Sequence, residues 1–363
     1  MYRVRWRLWL ASVLVIGWTL TSCGGATPPP QAGMTVVDAL GRSVPFARLP
    51  QRVVITGQNT LPMVDTVYLF PEAKERVVGL SVGKQPVGDF ISLIDPRFAD
   101  KTILEPGAGP EQIAPLKPDV VVLRSFLADK LGRSLEEVQI PVVYVDLETP
   151  EQYFRDLTTL GQLFGNEARA EQIRSFYQSR LDLIARALEG LDEEAKPRVL
   201  LAQYTDQGGT VALQVPSASW IQTTEVELAG GRPVWKEAAQ GGGWTVVNFE
   251  QIAAWNPDQI VIITYKGDSA EVVAKLKSEP AWQALKAVQE GRIVGFPADI
   301  FSWDQPDPRW ILGTLWLAGT IHPDRFPGLE MKQQVVGFFS QMYGMDPTAI
   351  ENQIVPTLKG NLE

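Results

Sequence analysis

The sequence predicts an α/β protein of two similar lobes, each with a parallel-rich sheet, bridged by one long α-helix. Three observations point there. The chain has 363 residues, beyond the roughly 250–300 that one hydrophobic core usually serves. Short runs rich in Val and Ile alternate with helical stretches, the pattern of a buried parallel sheet. One unit is also written twice. The first copy is Glu111-Gln112-Ile113-Ala114, three residues, then Pro118-Asp119-Val120-Val121-Val122; the second is Glu250-Gln251-Ile252-Ala253, three residues, then Pro257-Asp258-Gln259-Ile260-Val261. Each reads as a short helix opened by Glu, a Pro-Asp turn and a buried strand. The internal spacing is identical and the offset is 139 residues, so a duplicated lobe explains the pair better than chance similarity of two units.

Residues 1–22 read as a signal peptide. Arg3, Arg5 and Arg7 form its positive start, and Leu8 to Leu20 is apolar but short of the roughly 20 residues of a spanning helix. Leu20-Thr21-Ser22-Cys23-Gly24 follows. Small residues directly before a cysteine resemble the lipobox of bacterial lipoproteins, which implies cleavage before Cys23 and its acylation. The alternative is a structural cysteine behind an N-terminal membrane helix. Residues 23–33, with Pro28-Pro29-Pro30 among Gly and Thr, cannot bury a core and suit a tether. Acyl chains on Cys23 would then hold the body at a membrane surface.

An N-terminal lobe is expected over 34–165. Thr35 to Asp38 and Arg42 to Val44 flank Ala39-Leu40-Gly41 as a small hairpin. Arg52 to Ile55, Arg76 to Leu80, Val120 to Leu123 and Pro141 to Val145 read as buried strands. Thr149-Pro150-Glu151 is a helix start. Ile173, Phe176, Tyr177, Leu181, Ile184 and Leu188 then keep a helical rhythm, giving a bridging helix over 166–192. A C-terminal lobe over 193–363 repeats the pattern: strands at Val199 to Ala202, Gln259 to Ile263 and Arg292 to Phe296, and helices at Ala281 to Val288, Trp310 to Ile321 and Lys332 to Tyr343.

Composition narrows the function. The formal charge is −9, and loss of the three arginines of the leader takes it to −12, so nucleic acid is not an expected partner. Mean hydropathy near zero fits a water-facing body. One cysteine and one histidine exclude an intrachain disulfide and a metal centre of several imidazoles. His322, before Pro323, suits a helix end rather than a metal. Gly107-Ala108-Gly109 lacks the third glycine of a dinucleotide fingerprint. No nucleophile elbow or histidine-based acid or base is present, so neither a cofactor nor an enzyme is expected; composition alone leaves a carboxylate-only glycosidase open.

The two Glu-Gln-Ile-Ala…Pro-Asp segments resemble the signature of ABC-importer binding proteins for iron–siderophore complexes, haem and cobalamin. Val37-Asp38-Ala39-Leu40-Gly41-Arg42 with Pro50 to Val54, Pro106-Gly107-Ala108-Gly109, the stretch from Trp282 to Ile293 and Asp307-Pro308-Arg309 match it in order and spacing, over about residues 35–330. The resemblance implies two Rossmann-like lobes bridged by one long helix, a ligand cleft between them, small hinge motion, and a monomer that delivers its solute to a membrane permease with its ATPase. It also implies that Glu111 and Glu250, one per lobe, dock on that permease. A carboxylate at a helix start is favoured by the macrodipole, so ordinary capping is the alternative for each.

In open α/β sheets ligands bind beyond the carboxyl ends of the strands, which nominates the loops Thr56 to Asn59, Ser81 to Asp89, Glu105 to Gly109 and Arg124 to Phe126, and later Tyr204 to Gly208, Trp220, Trp244, Tyr265-Lys266 and Asp299 to Asp304. Trp220, Trp244, Trp303, Tyr204, Tyr265, Phe126 and Phe301 suit a large, partly apolar ligand such as a metal chelate; each could equally be a core residue. Trp244 and Trp303 lead, because the resemblance places cleft residues there. Arg124 and Lys266 could pair across the cleft on an anion or be solvated loop charges. The resulting expectation is capture of a metal chelate, foremost a ferric siderophore. The rivals are haem or cobalamin, a bare oxyanion such as molybdate or tungstate, and a receptor lipoprotein without transport.

Overall fold

A computed structural model of the chain describes residues 33–82 and 87–362. The leader, Cys23 and nearly all of the tether lie outside the described residues. Strands β1 (Met34–Val37) and β2 (Ser43–Phe46) form the expected antiparallel hairpin.

The first lobe holds β3 (Val53–Ile55), β4 (Val77–Ser81), β5 (Thr102–Leu104), β6 (Val120–Arg124) and β7 (Val142–Val145). They lie in the order β5-β4-β3-β6-β7, all parallel. Val53, Ile55, Val120 and Val122 enter the main core, while Val54, Val121 and Leu123 enter a second one on the opposite face. Burial on both faces is why these strands read as unbroken apolar runs.

The second sheet contains β8 (Arg198–Gln207), β9 (Thr210–Val215), β10 (Arg232–Pro233), β11 (Thr245–Val247), β12 (Gln259–Ile263) and β13 (Ile293–Gly295). Its order is β11-β9-β8-β12-β13, with β10 beside β8. Strands β8, β12 and β13 are parallel, as expected. The antiparallel edge of β9 and β11 is absent from the sequence reading, because these strands are half-exposed and their apolar runs, Val211 to Leu213 and Val246-Val247, are short. The signal was the Gly208-Gly209 turn, whose φ values of 64° and 88° give the two-residue hairpin loop that matches strand twist.

Two helices follow β7. Pro150–Phe164 opens with a capping box of Thr149 and Gln152. Gly165, at φ 64°, ends it, and Asn166 caps the Glu167–Ala187 helix by accepting from the Arg169 amide at 3.0 Å. That bridge has 21 residues, about 30 Å at 1.5 Å per residue, and stops short of the expected residue 192.

The repeat holds in three dimensions. Lys117 and Asn256 both take left-handed φ, 47° and 43°, just before the Pro-Asp pair. Asp119 accepts from the Arg52 amide at 3.0 Å, and Asp258 accepts from the Arg198 amide at 2.9 Å. Each Pro-Asp turn thus ties its own strand to the central neighbour, β3 or β8.

The Met331–Tyr343 helix, expected with the second lobe, touches both: it packs on the Trp310–Ile321 helix and reaches the first lobe. Phe339 and Tyr343 meet the Phe90 ring edge-on at 5.8 and 4.9 Å, and the Tyr343 hydroxyl donates to the Asp65 carbonyl at 3.3 Å.

Candidate functional site

The carboxyl ends of the parallel strands of both lobes border one cavity of about 840 Å³. Its two walls differ in chemistry.

The first lobe supplies polar and charged groups. After β3 the chain turns at Gly57, at φ 120°, where a Cβ would lie 2.6 Å from Leu127; only glycine fits. The turn presents Gln58, Asn59 and Thr60 to the cavity, and the Thr60 hydroxyl is anchored on the Ser81 carbonyl at 2.8 Å. Arg124 ends β6. It is 93% buried by residue area, 7% exposed, and its Nη2 donates to Glu148 Oε2 at 3.0 Å. Its Nε has no acceptor among the described residues. Phe126, more than half exposed, lies beside its guanidinium.

Glu148 follows β7 on a tightly held corner. Leu147 is left-handed, at φ 61°, a conformation unusual for a branched residue. The buried Asp156 carboxylate accepts from the Asp146 and Leu147 amides at 2.6 and 2.8 Å. Gln152 accepts from the Glu148 amide at 3.1 Å. Across the cleft, the Ile221 amide faces the Glu148 carboxylate and favours its charged form. Burial pushes its pKa up, opposed by the charge and hydrogen bond of Arg124 and by that amide.

The second lobe supplies rings. Trp220 precedes the Ile221–Leu228 helix and meets Trp244 edge-on at 5.6 Å; Trp244 meets Tyr265 at 6.3 Å. The Tyr265 ring is 37% exposed, while its hydroxyl turns inward to donate to Asp304 at 2.7 Å. Burial of that hydroxyl and the Asp304 charge push its pKa well above the ordinary value. Gln222 also donates to Asp304, at 3.3 Å.

Beneath the cleft a buried ionic cluster joins the lobes. Arg309 is fully buried. It pairs through Nη1 with Asp65 of the first lobe at 2.6 Å and through Nε with Asp299 of the second at 2.8 Å. Phe90, Phe301 and Phe339 surround its guanidinium at 4.5, 4.9 and 5.3 Å. Burial pushes the Asp65 carboxyl up to about 6 against the pull of Arg309.

Four of the eight ligand residues expected from sequence meet in the cavity wall: Arg124, Trp220, Trp244 and Tyr265. The other four do not. Trp303 is fully buried and donates its indole N–H to Asp299 at 2.8 Å, so it is a core residue that orients the ionic cluster. Asp299 is engaged by Arg309 and does not face ligand. Tyr204 is buried along β8, its hydroxyl accepting from Lys275 at 2.7 Å. Lys266 is exposed on its loop and does not line the cavity, so no cross-cleft pair with Arg124 forms. Gln58, Glu148, Gln222 and Gln305 line the cavity; of these only Gln58 fell in a nominated loop. The rule of carboxyl ends also covers the loop after β7, which would have found Glu148.

Glu111 and Glu250 are exposed in the first turns of the repeated helices. His322 caps the Trp310–Ile321 helix, with Nε2 3.1 Å from the Gly230 carbonyl. Among the described residues no group of three or more His, Cys, Asp or Glu side chains is placed to hold a metal ion, and no helix is long and apolar enough to cross a membrane.

Known proteins place this geometry. The molybdate-binding protein MolA of Haemophilus influenzae is 24% identical over 341 residues, covering 86% of this chain and 91% of that protein; its molybdate-bound structure superposes with a TM-score of 0.65. A periplasmic solute-binding protein of Veillonella parvula superposes with a TM-score of 0.71 at 23% identity, over 89% of this chain and 97% of its own. CeuE of Helicobacter pylori, solved with Ni(II) bound, gives 0.68 at 17% identity, over 88% and 99%. The family model described as periplasmic binding protein matches residues 100–300, more than half of the chain. With two lobes, a bridging helix and a cleft at the strand ends, the chain belongs to the periplasmic binding protein family, the extracytoplasmic solute-capturing components of ABC transporters.

Proposed function

We propose that the captured solute is an anionic metal chelate, foremost a ferric siderophore, held between Arg124 and the aromatic wall and delivered to a membrane permease. The observation that carries this is the Trp220–Trp244–Tyr265 surface in a cavity of about 840 Å³. Such rings contribute by covering apolar or aryl surface, which a small tetrahedral oxyanion does not have. Glu111 and Glu250 are the docking contacts in this reading, and Cys23 is the lipid anchor; fatty-acid labelling that persists in Cys23→Ala would remove the anchor.

A second reading, a bare oxyanion, is favoured by the unpartnered Nε of buried Arg124. The molybdate named for the Haemophilus relative supports it too. Tryptophan-fluorescence titration of the mature body with a ferric siderophore, haem, cobalamin and molybdate separates the two. Quenching by the ferric siderophore is expected; a response to molybdate with none to any organic chelate would replace the first reading by the second.

A further inference from the structure

We infer that Glu148 is a built-in competitor: its carboxylate holds the Arg124 donor at the cavity wall, and an incoming anionic group binds by displacing it. This deepens the anionic-ligand reading above and rests on it.

Three independent features lead here. First, the carboxylate stands between the two lobes: it accepts from the Arg124 guanidinium at 3.0 Å on its own lobe and is favoured by the facing Ile221 amide at the opening of an eight-residue helix on the other. A cationic side chain and a helix N-terminus are the two donor types that suit a bound anion, and here a side chain of the protein itself fills them. Second, Arg124 is not saturated. Its Nε lacks an acceptor although the residue is more than nine-tenths buried at the cavity wall, and such a group gains when a larger acceptor arrives. Third, the placement is enforced. The left-handed Leu147, the Asp156 carboxylate and the Gln152 side chain fix the backbone on both sides of Glu148, whereas its side chain stays about a quarter exposed in the cavity. A corner held by a strained residue and a buried carboxylate is costly for a side chain that serves only as a surface ion pair.

The consequence is selection by charge. A neutral solute offers no charge to replace the Glu148 carboxylate on Arg124 and leaves it in place, while an anion replaces like with like. The residue is a positioning and specificity element; it raises the threshold for weak anions.

The test is calorimetric titration of the whole mature chain and its Glu148→Gln and Glu148→Ala variants with two probes, molybdate and ferric tris-catecholate. Removal of a like charge beside the incoming anion is expected to tighten binding of whichever probe the unmodified chain binds by at least about tenfold. Equal or weaker anion binding in both variants overturns the inference while leaving the anionic ligand intact. Binding of neither probe by any of the three proteins defeats the anionic reading and the inference with it. Should the variants fail to fold, the unmodified chain gives the answer through pH. Glu148 faces Arg124 and Asp146 on its own lobe and the Ile221 amide on the other. Protonation of its carboxyl silences the competitor, so anion affinity rises as pH falls toward a pKa held above the usual glutamate value. A flat or opposite profile counts against it.

Discussion

The two walls of the cleft are built on related scaffolds and do different jobs. In the first lobe the sheet is wholly parallel, so several strand ends converge, and short turns from them present Gln58, Thr60, Arg124 and Glu148. In the second, an antiparallel edge replaces part of that pattern, and the loop before β11 brings Trp244 against Trp220 and Tyr265. The repeat conserves the outer frame: the Pro-Asp ties of Asp119 and Asp258 are equivalent. The cleft edge is where the two copies diverge. A duplicated lobe thus gains a two-sided pocket, with charge on one side and apolar rings on the other.

That division makes graded predictions. Arg124→Ala removes the cation and leaves Glu148 facing the cavity without its partner. Affinity for an anionic chelate should fall by about 100-fold, roughly 3 kcal/mol, measured by calorimetry. If the loss is no larger for an anionic than for a neutral ligand, the charged wall is misassigned. Trp220→Ala or Trp244→Ala should cost about tenfold in chelate affinity, on the order of 1.5 kcal/mol of ring contact, with little change for molybdate. A larger loss for molybdate would reverse the roles of the walls. The smallest effect on affinity belongs to the rim: Glu111→Ala with Glu250→Ala should leave chelate binding within about twofold, since exposed carboxylates contribute little at a distance. Uptake in cells should nonetheless be lost. A marked fall in affinity would move these residues from the rim into the cleft.

How far the sequence reaches is visible in particular residues. The parallel strands were legible because burial on both faces forces continuous apolar runs such as Val120 to Leu123. The hairpin β8–β9 was not, although Gly208-Gly209 marked its turn, because its outer strand faces solvent. Arg124, Trp220, Trp244 and Tyr265 were found because they stand at strand ends or in adjoining loops. Trp303 and Asp299 satisfied the same rule and still went inward. What redirects them is Arg309, ten residues beyond Asp299, which needs carboxylates in the core; its other partner, Asp65, lies far away in the chain and leaves no local trace. Burial of that cluster also shows why the late helices matter. Asp65 is far in sequence from Asp299 and Arg309, and breaking one buried member leaves the others uncompensated.

The central claim is that an anionic chelate sits between Arg124 and the Trp220–Trp244–Tyr265 surface. The most direct measurement is a crystal structure of the mature chain grown with ferric tris-catecholate. We predict the chelate in the cleft, an oxygen of it on Arg124, rings against Trp220 and Trp244, and the Glu148 carboxylate drawn away from the Ile221 amide. An empty cleft with Glu148 unmoved, or the chelate seated in the outer concavity of the second lobe between Lys196 and Lys236, would contradict it.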